Sequence, residues 1–315
     1  MIAGLVVLAA LALALATAAS FSRDWRLRLL VHFRPHLAVA CGVAMVALLA
    51  VSLPIGPKLA LLALLAASAA VHWREVARSM PLVTPAGAPA SGERRLRIAA
   101  ANLLRSNHDT QRAIDWVRRE KVDVFVASEA LDHWPRALAA LSDEFLHVAG
   151  HGSGDVLVFS RRPMTGEPRH LFADIGYAVA VEIDGLTVLG VHTASPQMHA
   201  MSVACDALLE GVSDLVRATP GPIVAVGDFN ATPWSAPVVR LVADTGLAYG
   251  PGARIGTLPA EAAGRKLPAW LGIPIDLVLA GHGASVAQRR HGARIGSDHW
   301  PVIAEIRYFP DRPVP

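Results

Sequence analysis

The first twenty residues, MIAGLVVLAALALALATAAS, contain no charged side chain, and nothing later in the chain constrains it as strongly. A helix needs about 20 consecutive apolar residues to cross a bilayer core. A cleaved leader would also put small residues where ATAAS stands, but leaders open on Lys or Arg and this segment does not. A retained helix over 1–20 is therefore expected. Residues 37–53 and 57–73 form a second and a third apolar stretch, and PIGPK at 54–58 predicts a hairpin turn between them. The third stretch is short for a span unless Lys58 reaches outward and Trp73 sits at the interface. Three spans are expected, with two plus a re-entrant piece as the other arrangement.

Positive charge sets the expected orientation. The first loop holds Arg23, Arg26, Arg28 and Arg34 against Asp24, and Arg74, Arg78, Arg94, Arg95 and Arg97 follow the third stretch. Cytoplasmic loops are the Lys/Arg-rich ones, which puts that loop and the following domain inside the cell. If the third stretch does not span, the parity reverses. Residues 79–93 are rich in Pro, Ala, Gly and Ser and read as a linker. The expected organisation is a membrane region over 1–78, a linker over 79–94 and one domain over 95–309.

Composition agrees. The chain is 53% hydrophobic and 17% charged, against about 45–50% and about 25% in soluble domains, and the apolar excess lies in the first 73 residues. The net charge of +3 is mild, and much of the arginine flanks the apolar stretches, so it makes no case for nucleic acid. Cys41 lies in an apolar stretch and Cys205 on an expected helix, without CxxC spacing. No disulfide, zinc site or redox motif is expected from them.

From Leu96 the rhythm becomes short apolar runs between turn residues. Strands are expected at 96–104, 122–130, 155–160, 178–193, 222–230, 275–280 and 299–309, with a hairpin at Asp184-Gly185. Helices are expected at 110–121, 134–141 and 198–218. Alternating elements with one antiparallel pair point to a mixed sheet packed with helices.

Almost every expected strand carries at one end a polar residue that a buried strand would not choose. These are Asn102, Glu129, His192, Asp228 with Asn230, Asp276, and Asp298 with His299. Singly, each has a structural explanation as a turn former, a solvated strand end or a core histidine. Together they can converge on one rim of a sheet. In GDFNATPW (227–234), Asp228 and Asn230 stand two apart, which on a strand points both the same way, and Gly227 permits close backbone approach. Oxygen ligands of this kind suit Mg²⁺ or Mn²⁺ and not zinc. GSDHWP sets an imidazole beside a carboxylate, the pairing that activates water at neutral pH.

The order Asn102, Glu129, His192, GDFN at 227–230, IPID at 273–276 and SDH at 297–299 resembles the endonuclease/exonuclease/phosphatase superfamily, with its deoxyribonuclease I-like fold. The resemblance covers about residues 96–308, and LGIPIDLVLA and GSDHWPVIAEI behind three apolar segments resemble its bacterial membrane-anchored branch. It implies an α/β (α+β) fold, a four-layered α/β/β/α sandwich of mixed sheets, here preceded by a transmembrane helical segment. It implies that Glu129 with Asn102 holds the metal, with Asp298 as a further carboxylate near it. Asp228 and Asn230 would position water and phosphoryl oxygens. His299, oriented by Asp276, would contact phosphate or move a proton, and His192 would pair with Asp155. Two positions depart from the family: Ser128 stands where Gln precedes the metal-binding Glu, and Leu277 where His follows the Asp of IPID.

The function these readings imply is metal-assisted attack of water on a phosphoester with Mg²⁺ or Mn²⁺. The substrate is a nucleic acid, a lipid headgroup or a small phosphoester, and membrane lipids are partners. Arg254, Arg265, Lys266 and Trp270, with Arg289, Arg290 and Arg294, form a basic stretch open to DNA or to anionic headgroups. The alternative is an inactive membrane-tethered scaffold on the same fold, whose signature is loss of Glu129, Asp228 or His299; all three are present. A transporter is disfavoured because the apolar stretches hold no Asp or Glu.

Overall fold

The computed structural model describes residues 1–80, 91–150, 155–172, 175–262 and 265–310. Most of the expected linker, at 81–90, lies outside the described residues. The chain divides into two compact units, one built on Met1–Leu82 and the other on Val83–Ser195, Ala200–Thr232 and Ala236–Pro315.

The first unit comprises α1 (Ile2–Ala19), a short α2 (Trp25–Arg28), a 3₁₀ turn at Leu29–Phe33, α3 (Arg34–Ala50) and α4 (Ile55–Ser79). Three of its helices are long and apolar enough to cross a membrane, by length and composition. Ala10, Cys41, Ala44, Leu48 and Leu65 pack together inside, while Leu5, Leu8, Val39, Val43 and Val46 stay exposed. Helices apolar on every side are those that lie in lipid or in a large core. The expected turn at 54–58 is corrected: Gly56, Pro57 and Lys58 lie within the first turn of α4. There proline costs nothing, since first-turn N–H groups have no intrahelical acceptor. The third apolar helix is consequently 25 residues long, and its expected shortness disappears.

The second unit contains β1 (Arg94–Asn102), α5 (Thr110–Glu120), β2 (Val124–Ser128), α6 (Trp134–Leu138), β3 (His147–Ala149), β4 (Val156–Ser160), β5 (Met164–Phe172), β6 (Gly176–Ile183) and β7 (Leu186–Thr193). It continues with α7 (His199–Arg217), β8 (Ile223–Asp228), α8 (Ala236–Thr245), β9 (Ala248–Tyr249), β10 (Glu261–Ala262), β11 (Arg265–Lys266), β12 (Asp276–Gly281), β13 (Ala284–His291) and β14 (Val302–Tyr308). Two mixed six-stranded sheets run β13-β14-β1-β2-β4-β3 and β5-β6-β7-β8-β12-β9. Within them β1 is parallel to β2 and β7 to β8, and the other pairings are antiparallel. The expected hairpin is present, with Asp184 and Gly185 both at positive φ, as a primed two-residue turn requires.

Period-two alternation explains the layers. Leu96, Ile98 and Ala100 of β1 and Val124 and Val126 of β2 meet Val179, Val188, Val224 and Val278 of the other sheet. Ala99, Ala101, Phe125 and Phe159, on the opposite face, pack against Ile114, Trp116 and Val117 of α5 and Trp134 of α6. On the far side α7 buries Leu208, Leu209, Val212 and Val216. Each such side chain is worth about 1.5–3 kcal/mol when fully buried. The central strands of both sheets are therefore covered on both faces, and their polar residues are left to the strand ends.

Candidate functional site

Parallel β7 and β8 place His192 directly beside Asp228, and antiparallel β12 places Asp276 on the other side of Asp228. The register is held by Gly227, whose φ is +140° and whose added Cβ would lie 2.1 Å from the Val191 carbonyl oxygen. Only glycine fits there. Across the sandwich, β1 and β2 end together at Asn102 and Ser128. The next residue, Glu129, turns away with φ +52°. Left-handed backbone at a bulky residue is costly and collects at functional sites.

Asp228 is the hub, with 1% of its surface exposed. Its Oδ1 accepts from the Asn230 backbone N–H at 2.8 Å, and its Oδ2 accepts from Asn102 Nδ2 at 3.0 Å and Asn230 Nδ2 at 3.2 Å. Asn102 Nδ2 also donates to Glu129 Oε1 at 2.9 Å, so its amide links the end of its own sheet to Asp228 of the other. The other Glu129 oxygen accepts from the Arg105 backbone N–H at 2.7 Å. Asn230 is not the strand residue its spacing predicts: β8 ends at Asp228, and Asn230 has φ +44°. The side chain returns to Asp228 because asparagine tolerates this conformation, and it also donates to the Thr193 carbonyl at 2.8 Å.

Two imidazoles flank the hub. His299 Nδ1 and Asp276 Oδ2 are hydrogen-bonded at 2.8 Å, and His192 Nδ1 is hydrogen-bonded to Asp155 Oδ2. Both rings thereby turn Nε2 toward Asp228 Oδ2, at 3.8 Å for His299 and 3.6 Å for His192. These distances exceed a hydrogen bond, so neither Nε2 is spent on Asp228. Burial lowers the affinity of both rings for a proton, but the carboxylates overcome it. Asp276, Asp228 and Asp298 push His299 up to about 10, and Asp155, Asp228 and Glu129 push His192 up to about 9. Burial raises Asp228, opposed by His299.

Atoms of Asp228, Asp276 and His299 lie within 4.8 Å of one another, a spacing that suits a cation. However, His299 Nδ1 is committed to Asp276, so the trio serves better as a proton network. Glu129 is half-buried, and each of its oxygens accepts one hydrogen bond, which leaves lone pairs for a ligand. Asp155 Oδ1 is buried without a hydrogen-bond partner. This oxygen-rich, acidic donor set fits a hard divalent cation. Asp298, half-buried, is 3.5 Å from Ser297 Oγ and acts on His299 through its charge. Among the described residues it makes no hydrogen bond to Glu129 or Asn102. Ser128 Oγ, at the position of the family's Gln, is buried without a partner.

The sequence gives no sign of several supporting residues. Thr257 Oγ1 accepts from the backbone N–H groups of Ile275 and Asp276, both at 3.1 Å. Arg289 Nη2 donates to the Asp276 carbonyl at 3.1 Å. This corrects the basic stretch: Arg289 is buried, Arg290 pairs with Glu120, and Arg294 lies over Trp300. A threonine eighteen residues away and an arginine among arginines carry no motif that could reveal these roles.

No curated protein matches the chain. Among solved structures it is similar to an endonuclease/exonuclease/phosphatase from Beutenbergia cavernae, 20% identical, covering 68% of this chain and 72% of that one at a TM-score of 0.55. It is similar to the 3′ phosphatase NExo from Neisseria, solved with a product DNA hairpin (19% identical, 66% and 98% covered, TM-score 0.52). It is also similar to humanized D. rerio TDP2 (15% identical, 67% and 98% covered, TM-score 0.51). At these identities the likeness is one of fold. The sequence profile of the Endonuclease/Exonuclease/phosphatase family matches residues 92–299, which contain every polar group described above. The chain belongs to the endonuclease/exonuclease/phosphatase family and, as a member, is a metal-dependent hydrolase of phosphate ester bonds.

Proposed function

We propose that this protein is a membrane-anchored phosphodiesterase-type hydrolase in which water attacks phosphorus at the rim holding Asp228. The observation that carries this reading is a buried carboxylate placed between two imidazoles, each backed by its own aspartate. Glu129 and Asn102 would hold a Mg²⁺ or Mn²⁺ ion, with Asp298 as a further carboxylate nearby. Such an ion, when bound, neutralises phosphoryl oxygens and stabilises the charge that develops on them.

The chain's own groups do the rest. Asp228, made more basic by burial, accepts a proton from water and orients it, with its carboxylate held in place by Asn230. His299 holds a proton at Nε2 through neutral pH and donates it to the phosphate or the leaving group, while Asp276 fixes the ring. His192 supplies a second donor, fixed by Asp155. The helices α1, α3 and α4 serve as three membrane spans, the segment to residue 94 as a tether, and the domain faces the cytoplasm.

The test is an activity screen of the full chain in detergent against bis-p-nitrophenyl phosphate, plasmid DNA and phospholipids, with EDTA and with added Mg²⁺, Mn²⁺ or Zn²⁺. Turnover abolished by EDTA and restored by Mg²⁺ or Mn²⁺ supports the reading. Turnover indifferent to EDTA, or restored by Zn²⁺ alone, overturns it.

A further inference from the structure

Between β9 and β12 the chain makes a long excursion that exposes apolar side chains beside basic ones. Trp270 is 75% exposed, and Ile255 and Leu271 are exposed beside it. Their backbones meet where Gly256 crosses Gly272, so closely that an added Cβ at Gly256 would lie 2.4 Å from the Gly272 carbonyl carbon. Ile255, Trp270 and Leu271 are therefore exposed apolar residues on two chain segments that meet at that crossing. Across residues 250–272 the charged side chains are Arg254, Arg265 and Lys266 against Glu261.

The inner surface of the same excursion braces the site. Thr257 Oγ1 holds the backbone of Asp276, and the Thr257 carbonyl accepts from the Trp300 N–H at 2.8 Å. Ala260 N–H donates to the Asp298 carbonyl at 2.5 Å. The exposed apolar residues are thus built onto the backbone that positions Asp276, Asp298 and His299.

A tryptophan with aliphatic neighbours and a basic fringe matches the headgroup–acyl boundary of an anionic bilayer. A nucleic-acid platform would use the aromatic ring for stacking and has no use for Ile255 and Leu271. Among the described residues three helices are long and apolar enough to cross a membrane, by length and composition, and the domain follows them on the same chain. We propose that Trp270, Ile255 and Leu271, fringed by Arg254, Arg265 and Lys266, form a bilayer-docking rim that seats the three apolar side chains in an anionic lipid surface and presents headgroup phosphoesters to the site. The choice of substrate rests on the phosphohydrolase reading above; the docking does not.

The experiment uses the full chain in nanodiscs whose lipids carry brominated acyl chains, which quench nearby tryptophan. Trp270→Phe keeps the rim apolar and removes its indole signal, so the difference from wild type isolates Trp270 from Trp25 and Trp73. In phosphatidylglycerol discs, wild type should show a quenched component that Trp270→Phe lacks. That component should shrink when Arg254, Arg265 and Lys266 are all changed to Gln, and in phosphatidylcholine discs. Trp270→Asp should abolish docking yet keep bis-p-nitrophenyl phosphate turnover within about twofold of wild type, as for an exposed residue outside the chemistry. Equal quenching in wild type and Trp270→Phe would overturn the proposal. So would a single-stranded oligonucleotide that shields Trp270 where lipid does not quench it. Absence of turnover on every phosphoester would sink the hydrolase reading while leaving the quenching result to stand on its own.

Discussion

Asp276→Asn separates the charge of the His299 partner from its shape. The Asp276 backbone is clamped by Thr257 Oγ1 and by Arg289 Nη2, and neither contact involves the carboxylate, so the strand end should stay in place. The stability loss should be about 1–3 kcal/mol, the usual cost of weakening a buried charge-assisted network. It should arise partly from buried Arg289, whose charge Asp276 supports against burial. The effect on turnover should be larger. With an amide opposite Nδ1, the ring is no longer held as a proton donor facing Asp228, and kcat should fall by about 10² to 10⁴. The pH profile carries the diagnostic sign. Burial depresses His299, and Asp276 is the first of the carboxylates that lift it to about 10. Without that charge the alkaline limb of the kcat profile should move to lower pH. Profiles from pH 6 to 9.5, with circular dichroism to confirm folding, make the test. A folded variant with wild-type kcat and an unmoved alkaline limb would refute the reasoning.

Three further outcomes follow from the structure. Gly227→Ala drives a Cβ to 2.1 Å from the Val191 carbonyl at φ +140° and should cost about 3 kcal/mol or more, read as a lowered Tm or failure to fold. With metal chelated, His192 and His299 are held at about 9 and about 10, above the ordinary 6.5. Their contribution to stability is complete below about pH 6.5 and is lost as pH rises through those values, so Tm should fall across that alkaline range. The full chain should remain in the membrane pellet after carbonate washing, and a reporter fused after Pro315 should score cytoplasmic; recovery in the wash or an external score would contradict the anchoring.

The polar strand ends were legible because a buried parallel or central strand has little reason to end in Asn102, Asp228 or Asp276 unless those groups are used. The apolar alternation behind them gave the covered sheets. What escaped is edge structure and support. β5 contains Pro168 and a bulge between Thr165 and Arg169, and β13 is a polar edge strand with its own bulge, so both read as loops. α8 is short and follows directly on the GDFNATPW turn, where the turn signal masks it. Spacing along a strand placed Asn230 beside Asp228 for the wrong reason, since a left-handed turn makes the contact. Arg289 looked like surface charge because no local pattern shows that a strand carries an arginine inward to a carbonyl thirteen residues away.

The central claim is that Asp228 and His299 act as one catalytic unit. Turnover of bis-p-nitrophenyl phosphate in Mg²⁺ by wild type, Asp228→Asn, His299→Ala and the double variant tests it most directly. Each single change should lower kcat by about 10² or more, and the double variant should be little worse than the worse single, because groups that act together are not additive. Folding is to be checked by thermal unfolding of each. Wild-type turnover in a folded His299→Ala protein, or losses that simply multiply in the double variant, would contradict the account.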